Sequence, residues 1–271
     1  MTTFKIDNMH NDYVSICQRV MNTGKPVAPR DEPTHEILGA TIELSNPKYS
    51  LPYGVNRNFS PRIAAAEALQ LIGGVSYPET MLKIAPQFAN FMDGGTFHGA
   101  YGPRIRQQMP LVIERLRKDP DTRQAVVTIW DPAKDLLEDG LHDYPCTLGF
   151  QFVIRNGRLS MITTMRSNDV WWGLAHDIFQ FTQLQMTVAN VLGIPYGTYY
   201  HRANSLHVYT RDFADIARMR RTTATPFKVL RIPEGLKGDS WEEVRRTAEL
   251  LISGASSEVY PESWYVEALG L

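Results

Sequence analysis

Asn156-Gly157 stands between two apolar runs, Leu148–Ile154 and Leu159–Met165. Asn-Gly supplies two successive left-handed residues cheaply, so this stretch predicts an antiparallel hairpin with a tight turn. A hairpin fixes its outer ends as well as its turn. Whatever stands just before the first arm must lie beside whatever stands just after the second. Those two places are held by Cys146, in YPCTLGFQ, and by Arg166. A thiolate is a nucleophile, and a neighbouring guanidinium lowers the pKa of a thiol. The competing reading is that Cys146 is inert packing, because free cysteine is among the most buried residue types. A lone buried arginine beside it would be costly, which favours chemistry over packing.

The rest of the chain sets the class. With 271 residues and no repeat or Ser/Gly linker, one domain over 1–271 is expected, large enough for a substantial core. Hydrophobic residues make up 43% and charged residues 21%, with a formal net charge of -1. That balance lacks the basic footprint of a protein that holds a nucleic-acid polymer, but leaves room for a small anion bound by local arginines. Cys17 and Cys146 form neither a disulfide framework nor a CxxC metal site, so no metal is expected. No apolar run reaches the roughly 18 residues of a membrane span, and the N-terminus lacks a signal pattern. A cytoplasmic protein, of a bacterium or of a phage-infected host, is the expectation. Helices are predicted over Asn11–Met21, Ala64–Ile72, Leu111–Leu116 and Ile178–Leu192, with a capping box at Ser240–Glu243 opening another. A third strand is predicted over Ala125–Trp130.

Polar residues crowd the stretch MRSNDVWWGLAHDIFQF, Met165–Phe181. Read with YPCTLGFQF and with SLHVYTRD, Ser205–Asp212, it resembles the thymidylate synthase family, with motif order kept from about Arg30 to Asp212. The resemblance implies an α/β (α+β) fold with a large mixed sheet flanked by helices, and a sheet-to-sheet homodimer with shared active sites. It implies a pyrimidine nucleoside monophosphate as substrate and 5,10-methylenetetrahydrofolate as co-substrate. By the same resemblance Cys146 is the nucleophile that adds to pyrimidine C6, and Glu67 is the acid/base carboxyl. Tyr101 lies near the ring. Arg30, Arg166 and Ser167 bind phosphate, and Arg123 reaches the partner's site. His207 and Tyr209 bind the sugar, and Asp169 contacts folate. Several matches carry departures: Gln124 replaces a second arginine beside Arg123, and Phe88 and Phe91 stand where the family has a tryptophan pair. The tail VEALGL also differs from the family's closing C-terminus.

One departure bears on the base. The methylating synthases carry asparagine at the position of Asp177. An amide accepts from uracil N3–H and donates to O4, whereas an ionised carboxylate only accepts. Cytosine offers an N4 amino donor and, once N3 is protonated, a second one. Asp177 therefore points to cytosine over uracil and to the deoxycytidylate or cytidylate 5-hydroxymethylase branch, in which water traps the C5 methylene. Of the sugars, dCMP is favoured and CMP follows. A C5-methylating synthase acting on dUMP or dCMP is the near alternative. A cysteine hydrolase using His142, His176, His201 or His207 as base, or a non-catalytic nucleotide-binding protein, is the alternative of another class. Asp177 could also be a plain N-cap for the helix starting near Ile178, and His207 and Tyr209 ordinary strand residues.

Overall fold

The computed structural model describes residues 2–270 except 53, 54, 58, 138, 139, 221–232 and 255–262. The Asn-Gly turn forms as predicted. Asn156 and Gly157 take φ of 52° and 69°, and they join β5 (Thr147–Arg155) to β6 (Arg158–Met165). Those strands belong to an eight-stranded sheet. Its other members are β1 (Thr3–Ile6), β2 (Lys25–Val27), β3 (Thr34–Leu44), β4 (Val126–Thr128), β7 (Asn168–Asp169) and β8 (Tyr196–Tyr209). The order is β1-β3-β8-β6-β5-β4, with β2 added to β3 and β7 to β8. β1 runs parallel to β3, and β6 and β7 run parallel to β8, while the other pairs are antiparallel. The sheet is thus mixed, as expected.

Among the described residues ten helices accompany it: α1 (Met9–Thr23), α2 (Pro61–Gly73), α3 (Pro78–Ile84), α4 (Tyr101–Ile105), α5 (Gln108–Lys118), α6 (Pro132–Asp135), α7 (Leu174–Leu192), α8 (Phe213–Arg218), α9 (Trp241–Ser253) and α10 (Trp264–Leu269). In α2, Ser60 caps the Ile63 N–H, Pro61 opens the helix and Gly74, at φ 67°, closes it. Ala64, Ala65, Ala66 and Ala68 are fully buried, and their small side chains let α2 pack closely against α7, α9 and α10. α7 lies against β6 and β8 and is buried along almost its whole length. The buried apolar residues form one contiguous cluster.

The expected start of α7 is corrected. The helix opens at Leu174 after Gly173, because Leu174 and Ala175 are buried and extend its apolar face by a turn. Asp177 therefore sits inside the first turn, with its N–H bonded to the Gly173 carbonyl, and is not an N-cap. The predicted strand Ala125–Trp130 shortens to β4, since only Val126–Thr128 pair with β5. The capping box at Ser240 also differs in detail: Ser240 Oγ accepts from the Glu243 N–H, but Glu243 Oε2 accepts from the N–H of Asp239. Along the central strands Met161, Thr163, Tyr199 and His201 are buried. Their alternates Ile162, Thr164 and Tyr200 are half-buried and Arg202 is exposed, as are Leu38 and Val126. That pattern leaves part of one sheet face uncovered by the described residues.

Candidate active site

The hairpin delivers the juxtaposition that its register requires. Thr147 pairs with Met165, the Arg166 N–H donates to the Cys146 carbonyl at 2.8 Å, and Arg166 Nη2 stands 3.9 Å from Cys146 Sγ. The guanidinium is held in place by donating to the carbonyls of Pro145 (3.0 Å) and Tyr144 (3.2 Å), and it lies over the Trp130 ring. Cys146 is half-buried rather than sealed in the core, whereas Cys17 is wholly buried. One expectation is corrected here. Arg166 does draw the Cys146 thiol downward, but burial outweighs it and the thiol is pushed above its ordinary pKa. The sulfur rests protonated, so a thiolate has to be formed when the ring arrives.

Around this sulfur the fold gathers side chains from distant parts of the chain. Tyr101 on α4 is close enough for its ionisation to be opposed by Cys146 and by Asp177. Asp143, raised by burial, and Arg30 both act on the Cys146 thiol. Arg30 occupies a left-handed backbone position at φ 54°, exposed in the short turn before β3. His207 feels Arg30 and Arg166, with burial as the main cause that holds its imidazole neutral. Ser167 Oγ approaches His207 Nδ1 at 3.4 Å, and the His207 and Tyr209 rings meet edge to face. These two residues alternate with the buried Leu206 and Val208 on β8, so the strand turns both toward the site.

Burial raises three carboxyls near the site, and for Asp169 the charges of Arg57 and Arg211 partly offset it. Glu67 reaches in from α2. Its Oε2 is buried and has no hydrogen-bond partner, and burial followed by the charge of Asp177 pushes its pKa up to about 8. Asp177 is pushed up to about 7 by burial, although Asn168 Nδ2 donates to Oδ2 at 2.7 Å and Gln180 Nε2 to Oδ1 at 3.1 Å. Asp169 is raised to about 6 by burial, and its Oδ1 accepts from the N–H groups of Trp171 and Trp172. Near neutral pH the Glu67 carboxyl is mainly an acid, and that of Asp177 is divided between acid and carboxylate.

Of the residues expected at the site, Arg123 alone lies apart. It is exposed beyond the far end of β4, where its carbonyl accepts from Gln151 Nε2. Cys146 lies past the other end of that strand pair, roughly 20 Å away at about 3.3 Å per residue. Two residues at the site were not singled out from sequence, Gln180, which holds Asp177, and Asp143; Asn168 stood in the polar stretch, but its hold on Asp177 did not show there. Gln180 follows Asp177 by one helical turn, a spacing that could have suggested it. Among the described residues no group of three His, Cys, Asp or Glu side chains is placed to hold a metal ion, and no helix is long and apolar enough to cross a membrane.

Comparison with known proteins gives a consistent picture. The family model described as thymidylate synthase matches residues 11–246. A deoxyuridylate hydroxymethyltransferase of Bacillus phage SP01 is 34% identical over 230 residues, covering 79% of this chain and 60% of the phage protein. A deoxyuridylate hydroxymethyltransferase of Pseudomonas phage M6 is 32% identical over 202 residues, 72% of this chain and 57% of its own length. A putative thymidylate synthase of Methanocaldococcus jannaschii is 28% identical over 218 residues, 79% of this chain and 93% of its own. The chain thus spans a little under two thirds of the length of the two phage relatives.

Proposed function

This chain belongs to the thymidylate synthase family, and from that premise we propose that it transfers a hydroxymethyl group to C5 of a cytidine monophosphate. We take dCMP as the favoured substrate and CMP as the next. The observation that carries the reading is the carboxyl of Asp177, held by Asn168 and Gln180 in the recess that also contains Cys146, Arg166 and Glu67.

Pyrimidine C5 is a weak nucleophile. Adding sulfur at C6 forms the S–C6 bond and moves the C5=C6 electron pair toward the N3 edge, which leaves C5 enamine-like. Asp177, titrating near neutrality, can give its proton to N3 as that charge arrives and can accept from the N4 amino group. Arg166 stabilises the sulfur as its proton leaves, and Arg30, Arg166 and Ser167 would hold the phosphate by charge-assisted hydrogen bonds. Glu67, an acid with an unpartnered oxygen beside Asp177, fits a carboxyl that moves protons to and from the reacting carbon. Methylenetetrahydrofolate would supply the one-carbon unit, and Asp169 is the residue we assign to it. Once the one-carbon unit is joined to C5, loss of the C5 proton to a base such as Glu67 and cleavage of the carbon–nitrogen bond would release tetrahydrofolate and leave an exocyclic methylene. Water would add its hydroxyl there, and breaking the S–C6 bond would restore the ring and return the sulfur to Cys146.

One finding supports water over hydride as the final reactant: the phage relatives are named as hydroxymethyltransferases. A second reading, dUMP as substrate, is favoured by the names of those relatives and by one physical fact. At about pH 7 half of Asp177 is protonated, and a protonated carboxyl can accept from uracil N3–H and donate to O4. A cysteine hydrolase is disfavoured, because the hydrogen-bond partner of Cys146 Sγ is Arg166 and none of the histidines.

We further propose one domain over 1–271, a cytoplasmic location, and a homodimer through the uncovered sheet face, in which Arg123 serves the neighbouring site. No nucleic-acid polymer and no membrane enters this reading. The test is turnover of dCMP, CMP, dUMP and UMP with methylenetetrahydrofolate, with products identified by mass. A hydroxymethylated cytidine nucleotide is expected. A methylated product would overturn the hydroxymethylase reading, and turnover of uridine nucleotides alone would overturn the base assignment.

A further inference from the structure

Behind Asp177 runs a line of buried polar groups that the reaction itself does not use. Asn168, which donates to Asp177, places its Oδ1 2.9 Å from His201 Nε2. His201 Nδ1 lies 2.9 Å from Tyr199 Oη, which lies 3.0 Å from Thr163 Oγ1. All four residues are at most 3% exposed. Nothing in the line is charged: burial holds the His201 pKa down to about 3 and keeps the Tyr199 phenol protonated.

Neutrality makes the line directional. A neutral imidazole donates from one nitrogen and accepts at the other, and a phenol has one proton to give. If His201 Nε2–H donates to Asn168, Nδ1 must accept from Tyr199; the Tyr199 hydroxyl, which can donate to Thr163 Oγ1, is then turned to Nδ1, and Thr163 donates to it instead. Every donor then points toward Asp177. The reverse order turns the Asn168 amide over and sets its oxygen against the carboxyl of Asp177. That contact is tolerable only when Asp177 carries a proton and donates it. We propose that His201, acting through Asn168, is a positioning residue that keeps Asp177 an acceptor toward the base and so sets which pyrimidine is taken. This rests on the base reading above.

The surroundings leave that control to the relay. Glu67 from α2 and Asp169 from β7 are the carboxyls that face Asp177: Asp169 opposes its ionisation, and Glu67, whose own ionisation Asp177 opposes, meets it as a neutral acid. Gln180 supports ionisation from within α7, and Tyr101, Cys146 and Tyr199 meet it as neutral groups. Asn168 is thus one of two donors that hold the carboxylate form, and His201 is the group that fixes its amide.

The test measures kcat/KM for dCMP and dUMP at about pH 8, in the wild type, His201→Phe and His201→Gln. Phenylalanine keeps the ring and its contact with Phe181 but lets the Asn168 amide turn. The dCMP:dUMP ratio should fall about tenfold. Glutamine can still donate to Asn168 and should restore most of the ratio, whereas general loosening of the core would lower both rates together. An unchanged ratio in folded His201→Phe overturns the proposal and leaves the reaction assignment intact. A wild type that hydroxymethylates neither nucleotide removes the functional reading, and this proposal with it. Should His201→Phe fail to fold, nitrogen NMR of His201 in the ligand-free wild type decides. The Nε2–H tautomer is expected, and the Nδ1–H tautomer overturns the relay.

Discussion

Replacing Asp177 with asparagine tests the base assignment, and pH supplies an internal control. In the wild type Asp177 titrates near 7. Below that, its proton can satisfy uracil O4. Above it, O4 faces an ionised oxygen, and neither group has a proton to share. An unmatched buried acceptor costs about 1–3 kcal/mol, a factor of roughly ten to a hundred in rate. Cytosine is spared because N3 can itself carry the proton, which then lies between two basic atoms. The wild-type ratio of kcat/KM, dCMP over dUMP, should therefore rise by roughly ten- to a hundredfold between about pH 6 and pH 9. Because it is a ratio, ionisations common to both substrates, such as those of Cys146 and Glu67, cancel. In Asp177→Asn the ratio should shift toward dUMP and become flat with pH, since an amide has no proton to lose in this range. The assay is steady-state competition between the two nucleotides, with products resolved by mass. A wild-type ratio that is flat with pH and unchanged by the substitution would refute the reasoning.

Other consequences follow from the same geometry. Cys146→Ser should cut turnover by orders of magnitude while nucleotide affinity, measured by calorimetry, survives, because the sulfur forms the bond to C6 and the arginines hold the phosphate. Glu67→Gln should abolish turnover yet stabilise the protein at high pH. The folded pKa of Glu67 is raised from 4.5 to about 8, so the stability due to its neutral form is full below about 4.5 and is lost as pH rises through about 8. The melting temperature of Glu67→Gln should exceed that of the wild type at about pH 8.5, and the gap should close toward about pH 4.5. Arg166→Lys should lose the fork that bonds the Tyr144 and Pro145 carbonyls, costing about 1–2 kcal/mol in denaturant titration and at least tenfold in kcat/KM.

The sequence made some of this legible and hid the rest for identifiable reasons. Local chemistry was readable: Asn156-Gly157 specifies the β5–β6 hairpin, and the hairpin alone brings Arg166 to Cys146. Helix α2 was readable from its alanines and its closing glycine pair. The long strands β3 and β8 were not, because β8 carries Arg202, Asn204 and Ser205 where a half-buried strand would show cleaner alternation. The polarity of those residues reflects an uncovered face and a site, and both depend on tertiary context. Asp177 became informative only by resemblance, since its spacing in the chain was equally compatible with a cap. His201 stands out in the sequence only as one of four possible bases of the hydrolase alternative. Its link to Asn168 spans 33 positions and depends on β7 and β6 pairing in parallel with β8, a geometry that leaves no local signature.

The cluster of raised carboxyls has a common logic. A pocket for a nucleoside monophosphate would ordinarily avoid acids, because the phosphate brings negative charge. Here burial raises Glu67, Asp177 and Asp169, and the charge of Asp177 further opposes ionisation of Glu67, as that of Asp169 does for Asp177. The effect is to store protons in the site near neutral pH. Adding sulfur to the ring calls for such a store, since the electron pair driven out of C5=C6 needs a proton at the far edge of the base. A lysine there would supply one at the cost of a fixed cation, which would pull the base out of position and compete with the arginines for phosphate. Glu67 and Asp177, when neutral, provide the proton without that charge, and on the proposed reading Arg166, held by the backbone carbonyls of Tyr144 and Pro145, grips the phosphate together with Arg30. On the proposed reading, the separation of proton store from phosphate clamp would let one pocket activate the base and hold the nucleotide at the same time.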